Sequence, residues 1–329
     1  MYDVFVSVVV PLRDAASLVE AIIDEIEKQL ASLFRNYEIV LVDDASSDNT
    51  AGVIRELQKR VRNLQLYCLN RRGGLDVAIV AGLDHAIGDF VITLNPQADP
   101  VSLIPALWEK SLAGNEIVCG VRNDAGGNSM RARLNRAFFK AYAASTGYKI
   151  PPSSSDLRLL SRRVVGYMIQ NNDRHLLLKV LPFFTTQKVG VVEYKILKRP
   201  GGFPARTTLE LMFSASSILL ASSARPLRLM TLLALCASTA SLFFALYVVG
   251  VALFKNRVVE GWVSIALPMA LMFFLISVIL GLLSEYIYML AQQAGNRPVY
   301  SIGSESTSNV LDMRGQLNVF DGRTDRPSR

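Results

Sequence analysis

The sequence predicts an α/β domain on a parallel sheet, followed by a pair of membrane-spanning helices. Three observations predict it. β-branched runs alternate with helix-length amphipathic segments four times before about residue 120. Acidic, basic and glycine residues cluster just after the predicted strands, where open α/β sheets bind ligands. In a chain that is 51% hydrophobic and 19% charged, the apolar excess is concentrated in two uncharged C-terminal runs.

Val4–Val10 is a continuous β-branched run, the pattern of a strand buried on both faces. A helix follows Pro11–Ala16, with Ser17 and Glu20 spaced as a capping box. Val19, Ile22, Ile26, Leu30 and Leu33 keep one apolar face along it. Strand Glu38–Val42 ends at Asp43-Asp44-Ala45-Ser46-Ser47-Asp48, and a helical segment begins near Asn49. Leu64–Leu69 is a third strand, Asn70–Gly74 a turn, and Leu75–Ile87 a helix. Strand Phe90–Leu94 ends at Asn95-Pro96-Gln97-Ala98-Asp99-Pro100, followed by helix Val101–Leu112 and strand Ile117–Val121.

Leu229–Phe254 and Gly261–Ser284 carry no charge, and each exceeds the roughly 20 residues that span a bilayer core. Lys255–Glu260 is a short connector, so the spans, about 229–254 and 261–288, form a hairpin. Arg225 and Arg228 precede it; Arg297 and Arg314 follow it. The positive-inside rule places both termini and the N-terminal domain in the cytoplasm, at the inner (plasma) membrane. No signal peptide is expected at the N-terminus. Thr207–Ser222 reads as an amphipathic helix lying on the membrane or docking on the α/β domain. The expected layout is a domain over 1–206, an interfacial helix over 207–224, the hairpin within 225–300, and a flexible tail over 301–329.

The net charge of +7 suits an anionic membrane surface or phosphorylated substrates. No nucleic-acid motif, Walker loop or GxGxxG is present. Cys68, Cys119 and Cys236 have no metal-binding spacing and read as packing residues.

Three runs, Val8-Val9-Val10-Pro11, Val42-Asp43-Asp44-Ala45-Ser46 and Ala81-Gly82-Leu83-Asp84-His85-Ala86-Ile87-Gly88-Asp89, resemble a family-2 glycosyltransferase of GT-A fold. Ile150-Pro151-Pro152, Asp156-Leu157-Arg158-Leu159-Leu160-Ser161-Arg162-Arg163, Ala224-Arg225-Pro226-Leu227-Arg228-Leu229, Ser284-Glu285-Tyr286 and Arg297-Pro298-Val299-Tyr300 narrow it to the polyprenyl-phosphate glycosyltransferases. That group includes dolichyl-phosphate mannose synthases and bacterial enzymes making undecaprenyl-phosphate glucose. The resemblance covers about residues 4–300 and implies inverting sugar transfer from a UDP- or GDP-linked donor to a polyprenyl phosphate on the cytoplasmic leaflet, for cell-envelope glycan modification. It also implies self-association through the hairpins.

The same resemblance implies site residues. Pro11, Asp43, Asp44, Arg71, Asn95 and Gln97 would bind the nucleotide sugar, with Asp44 meeting base and ribose. Arg122 and Arg136 would lie near the phosphates. Asp156 and Arg158 would be catalytic at the acceptor phosphate, and Arg174, His175 and Lys179 would face the lipid headgroup. The implied cofactor is Mg²⁺ or Mn²⁺, which helps stabilise the departing diphosphate.

Three stretches depart from the family pattern. Asp-x-Asp is replaced by Asn95-Pro96-Gln97, in a loop one residue shorter. Mg²⁺ and Mn²⁺ prefer anionic oxygen, so metal binding should be weak or absent. Asp99 with Gln97 remains as a metal candidate, or Asp99 N-caps the helix that follows Pro100. Ala15 and Ala16 stand where an acid is usual, with Asp14 nearby, and Phe203-Pro204-Ala205 replaces Ser-Lys-Tyr. The sequence therefore supports an active transferase, with a non-catalytic membrane-anchored binding or scaffold protein as the alternative.

Overall fold

A computed structural model describes residues 1–123, 140, 143–144, 151, 154–170, 178–186, 188–197, 199, 203–204, 269, 272, 275–276, 279, 283, 286, 290 and 299–308. In chain order the elements are β1 (Tyr2–Leu12), α1 (Val19–Leu33), β2 (Phe34–Asp43), α2 (Thr50–Leu57), β3 (Leu64–Leu69), α3 (Leu75–His85) and β4 (Phe90–Thr93). A 3₁₀ turn, Val101–Leu103, runs into α4 (Ile104–Leu112). Then come β5 (Ile117–Arg122), β6 (Ser154–Ser161), α5 (Arg162–Gln170), β7 (Val189–Tyr194) and β8 (Ile302–Thr307). The chain divides into two compact units. One is built from Met1–Trp108, Leu197–Phe203 and Tyr300–Arg329, the other from Glu109–Ile196 and Pro204–Val299.

The first unit carries the strand order β4-β1-β2-β3-β8. Strands β4, β1, β2 and β3 are parallel. Val8, Val9 and Val10 pair with Ile39, Val40 and Leu41, and all six are fully buried. Burial on both faces is what an uninterrupted β-branched run requires, and each such side chain stabilises the fold by about 1.5–3 kcal/mol. At one edge of the core Phe34 meets Trp108 edge-on at 4.9 Å, and Phe90 meets Trp108 at 5.2 Å.

Helix α3 lies close on this sheet because Gly82 has no side chain. A Cβ there would stand 2.2 Å from Val9 Cγ1. The helix ends at His85, two residues before the predicted end. Ala86 turns extended, Ile87 donates its N–H to Glu38 Oε1 at 2.8 Å, and Gly88 donates to Ser7 Oγ at 2.8 Å. Strand side chains thus satisfy the backbone that leaves the helix. The glycine-rich Ala81–Asp89 motif therefore packs and terminates a helix.

Two further expectations are corrected. The Ser17/Glu20 capping box does not form: α1 starts at Val19 after Leu18, with no side-chain cap. The Leu18 and Val19 amides bond Ala15 O instead, and Glu20 accepts from Arg60 Nη2 at 2.8 Å. Ile302–Thr307, within the tail expected to be flexible, forms β8, antiparallel to β3, with Tyr67 opposite Glu305. An edge strand facing water needs no apolar alternation, so its serines hid it. Gln58 Nε2 donates to Ser306 O at 2.8 Å, and Tyr300 Oη donates to Asp84 Oδ2 at 2.8 Å.

In the second unit, β5 pairs antiparallel with β6 and parallel with β7. Gly120 allows Tyr194, Ser155 and Leu157 to close over β5; a Cβ there would meet their atoms at 2.8–3.0 Å. β6 carries no strand signal in the sequence, because Asp156 and Arg158 interrupt its pattern.

The interfacial helix, the first span, most of the second, the expected tail over 309–329, Arg136, Arg174 and His175 lie outside the described residues. Among the described residues, no helix is long and apolar enough to cross a membrane.

Candidate active site

The first unit gathers three loops at the carboxyl ends of β1, β2 and β4. The loop after β2 is anchored by Asp44, which is fully buried. Its amide bonds Leu12 O at 2.9 Å. Its Oδ1 accepts the N–H of Gly73 at 2.6 Å and of Gly74 at 3.1 Å. The carboxylate thus holds the start of α3, where unsatisfied amides and the helix dipole favour negative charge. Gly74 has φ +84°, a conformation that favours glycine. Arg13 Nη1 lies 3.7 Å from Asp44 Oδ2. Asp44, expected to meet base and ribose, therefore has its carboxylate engaged within the protein.

Around it runs an acidic and hydroxylic network. Asp43 Oδ1 accepts from the Ser46 hydroxyl, and burial pushes the Asp43 carboxyl above its ordinary value, partly offset by the Ser46 bonds. The Ser47 amide and hydroxyl, at 2.7 and 2.9 Å, hold Asp14 below the usual carboxylate range. At Asp48, burial acts upward but is outweighed by bonds from Thr50 and the Ala16 amide, so its carboxyl also sits low. Asp14 and Ala45 are left-handed, with φ of 47° and 50°, which is uncommon for residues with a Cβ. The Asp14 amide donates to Ser46 Oγ at 2.9 Å and helps lock that turn.

Arg71 is exposed. Its neighbour Arg72 makes the contacts, to Ala45 O at 3.4 Å, Ser47 Oγ at 3.2 Å and Asp14 Oδ2 at 3.7 Å. Pro11 is buried in β1 opposite Val42.

The loop after β4 folds on itself. Asn95 Oδ1 accepts the Gln97 N–H at 3.2 Å, and Asp99 Oδ2 accepts the Asn95 N–H at 3.0 Å. Asp99 is fully buried and closes its own loop; the cap position before the 3₁₀ turn belongs to Pro100. The N-cap expectation for Asp99 is corrected, and its carboxylate, expected to take part in a metal site, is fully enclosed and turned to its own loop. Gln97 is 7% exposed; its Nε2 donates to Arg13 O at 3.3 Å, and its Oε1 is buried with no hydrogen-bond partner among the described residues. Arg199 braces the loop: its Nη1 donates to Pro96 O at 3.1 Å and its amide to Gln97 O at 3.3 Å, while its Nη2 reaches Glu25 at 3.3 Å.

These residues do not fit a divalent cation. The loop presents one unpartnered neutral oxygen, the Arg199 guanidinium borders it, and Arg13 meets it through its carbonyl. Among the described residues no group of three His, Cys, Asp or Glu side chains could hold a metal ion.

In the second unit, Asp156 is half-buried on β6 and shares a sheet face with Arg158 by strand alternation. Arg158 is 3% exposed. Its Nε donates to Ser155 O at 3.1 Å, its Nη1 to Leu178 O at 2.9 Å, and its guanidinium lies 5.8 Å from the Phe183 ring. Arg158, expected to be catalytic, ties β6 to the segment carrying half-buried Lys179, while its Nη2 is buried with no hydrogen-bond partner among the described residues. Arg122, at the end of β5, donates from Nε to Tyr194 Oη at 3.4 Å. Burial pushes the Cys119 thiol up to about 11.

Arg13, Arg72 and Arg199 were not singled out in the sequence. Nothing local marks them: Arg13 and Arg199 act through contacts to segments distant in the chain.

Comparison with known proteins adds to this geometry. Residues 7–167 match the family described as "Glycosyl transferase family 2". The "SfII prophage-derived bactoprenol glucosyl transferase" of Shigella flexneri is 30% identical over 277 residues, covering 83% of this chain and 89% of the relative. The "Prophage bactoprenol glucosyl transferase homolog" of Escherichia coli (strain K12) is 31% identical, covering 80% and 87%. The "Undecaprenyl-phosphate 4-deoxy-4-formamido-L-arabinose transferase" of Pectobacterium carotovorum is 27% identical, covering 90% and 92%.

Proposed function

Because the chain belongs to glycosyl transferase family 2, we propose that it transfers a sugar from a nucleotide diphosphate sugar to a polyprenyl phosphate at the cytoplasmic face of a membrane. The observation that carries this reading is the near full-length similarity to proteins named for bactoprenol and undecaprenyl-phosphate transfer. The α/β domain is the GT-A nucleotide-sugar domain of the family. The loops after β1, β2 and β4 take the donor. The acceptor phosphate attacks the anomeric carbon, and the bond to the nucleoside diphosphate breaks with inversion. The nucleophile is already an anion, so it needs little general-base help. The half-buried Asp156 orients it or acts as a weak base, with Arg122 and Lys179 as phosphate-binding cations. The two apolar C-terminal runs hold the enzyme on the surface that carries its lipid.

The test is an assay of the purified full-length protein with undecaprenyl phosphate and a panel of UDP- and GDP-sugars. Formation of a lipid-linked sugar is expected; none from any donor would sink the proposal.

One observation favours the second reading, a membrane-anchored binding or scaffold protein: Asp99 is turned inward while Asn95 and Gln97 are amides. Sugar transfer from any donor would end that reading.

A further inference from the structure

We propose that the donor binds at the 95–99 loop without a divalent cation, with Gln97 Oε1 accepting a donor hydroxyl and Arg13 supplying the counter-charge to the diphosphate. The inference rests on the reading of the chain as a nucleotide-sugar transferase, and it names how this site manages the negative charge of a nucleoside diphosphate.

Three observations carry it. First, the loop's carboxylate is unavailable: Asp99 is fully buried and accepts the Asn95 N–H at 3.0 Å. Second, the loop does present a built acceptor. Gln97 is more than nine-tenths buried, is tethered through Nε2 to Arg13 O, and has an unpartnered Oε1. A neutral amide oxygen suits a donor hydroxyl of a sugar or ribose; a bare divalent ion needs anionic oxygens to offset its lost hydration. Third, the cations are already in place. Arg13 is bonded to Gln97 through its carbonyl and lies 3.7 Å from Asp44 through its guanidinium. Arg199 donates to the Pro96 carbonyl at 3.1 Å.

The Arg13 pairing is loose, because Asp44 already accepts the Gly73 and Gly74 amides. The Arg13 side chain is 16% exposed, which leaves it able to face an incoming anion. A metal ion at Gln97 would be repelled by Arg13 and Arg199. A diphosphate would be attracted by both, and a planar guanidinium matches phosphate oxygens in a bidentate way. Arg199 acts as a positioning residue here, holding the loop by its backbone and side chain.

The experiment titrates UDP and GDP into the full-length protein in detergent by calorimetry, once with EDTA and once with Mn²⁺. The same protein is followed by Mn²⁺ electron paramagnetic resonance. The nucleotide that binds should do so with Kd values equal within about threefold in the two buffers. The free-Mn²⁺ signal should not fall when protein and nucleotide are added beyond what nucleotide alone removes. Arg13→Gln should weaken binding in EDTA by about ten- to a hundredfold. Binding tighter in Mn²⁺ than in EDTA by about tenfold or more, or a protein-dependent loss of the free-Mn²⁺ signal, would overturn the inference and leave the transferase reading standing. Binding of neither nucleotide in either buffer would overturn both. The wild-type titration and resonance arms decide the metal question even if Arg13→Gln fails to fold, and Arg13→Gln binding within about threefold of the parent would overturn the role of Arg13.

Discussion

Asp44 Oδ1 accepts the backbone N–H of Gly73 at 2.6 Å, which makes the loop after β2 and the first turn of α3 one hydrogen-bonded unit. A side chain at the end of one strand thereby fixes the entry of a helix about thirty residues further on. The geometry of the donor loops depends on this bond as much as on their own sequence.

Replacing Asp44 with Ala leaves the Gly73 and Gly74 amides and the Arg13 guanidinium without their acceptor. Stability should fall by about 2–3 kcal/mol, the range for a charge-assisted buried bond. Asp44→Asn, which keeps one acceptor oxygen, should lose less. Denaturant titration of the detergent-solubilised protein measures both; an Ala variant as stable as the parent would refute the anchoring role.

Gly82→Ala should lower stability by about 1–3 kcal/mol through overpacking, since the new methyl would stand 2.2 Å from Val9 Cγ1. Val9→Ala in the same chain should recover part of the loss by making room. A double-mutant cycle on thermal midpoints reads the coupling, and strict additivity would show that α3 does not rest on Val9.

Asp43 gives a pH dependence with a definite sign. Burial raises its folded-state pKa above the unfolded value. Its contribution is therefore fully present below the ordinary aspartate pKa and is lost as pH rises through the raised value. Asp14 and Asp48, held low, act the other way: their contribution is present above the ordinary value and lost as pH falls through their lowered values. Asp43→Asn should accordingly gain stability relative to the parent as pH rises from the acid range to neutrality. Melting midpoints of both proteins across that range check it; a difference that does not change with pH would contradict the burial argument.

Cys119 is fully buried, with its thiol pushed up to about 11. At pH 8 only about one thiol in a thousand is ionised, and the thiolate is the reactive form. Iodoacetamide should leave the Cys119 peptide unlabelled in the native protein and label it in denaturant, as read by mass spectrometry. Labelling in the native protein at the rate of the half-exposed Cys68 would show that β5 opens to solvent.

Truncation before Tyr300 should strip β3 of its antiparallel neighbour. Hydrogen exchange at the β3 amides that face β8, between Gln65 and Leu69, should then rise by several orders of magnitude while β1 stays protected. Unchanged exchange at β3 would mean that β8 adds nothing to the sheet.

Much of the fold was readable because burial leaves a pattern. Strands β1 to β5 and helices α1 to α4 announced themselves by apolar periodicity, with boundaries shifted by a few residues. β6 did not, because Asp156 and Arg158 interrupt it, and Arg158 is buried by bonds to carbonyls that the sequence cannot show. β8 did not, because an exposed edge strand can be made of serine and glutamate. In the site, Asp43, Asp44, Asn95 and Gln97 were legible as strand-end residues, yet Asp44's bond to Gly73 was not. Arg71 and Arg72 are adjacent, chemically identical and both exposed, so only the fold shows which one meets Asp14. Arg13 and Arg199 act across 31 and 103 positions (13 to 44, and 96 to 199), where a local reading has no reach.

The pairing of β3 with β8 also sets an order of synthesis. Leu69 and Ile302 are partners, but the ribosome makes them 233 residues apart, about ten to fifty seconds at ordinary elongation rates. Through that interval β3 waits with an unpaired edge, and both predicted membrane spans emerge before its partner does. A ribosome stalled anywhere in the spans would leave a nascent domain one strand short, with an open edge that a chaperone or a neighbouring nascent chain can occupy.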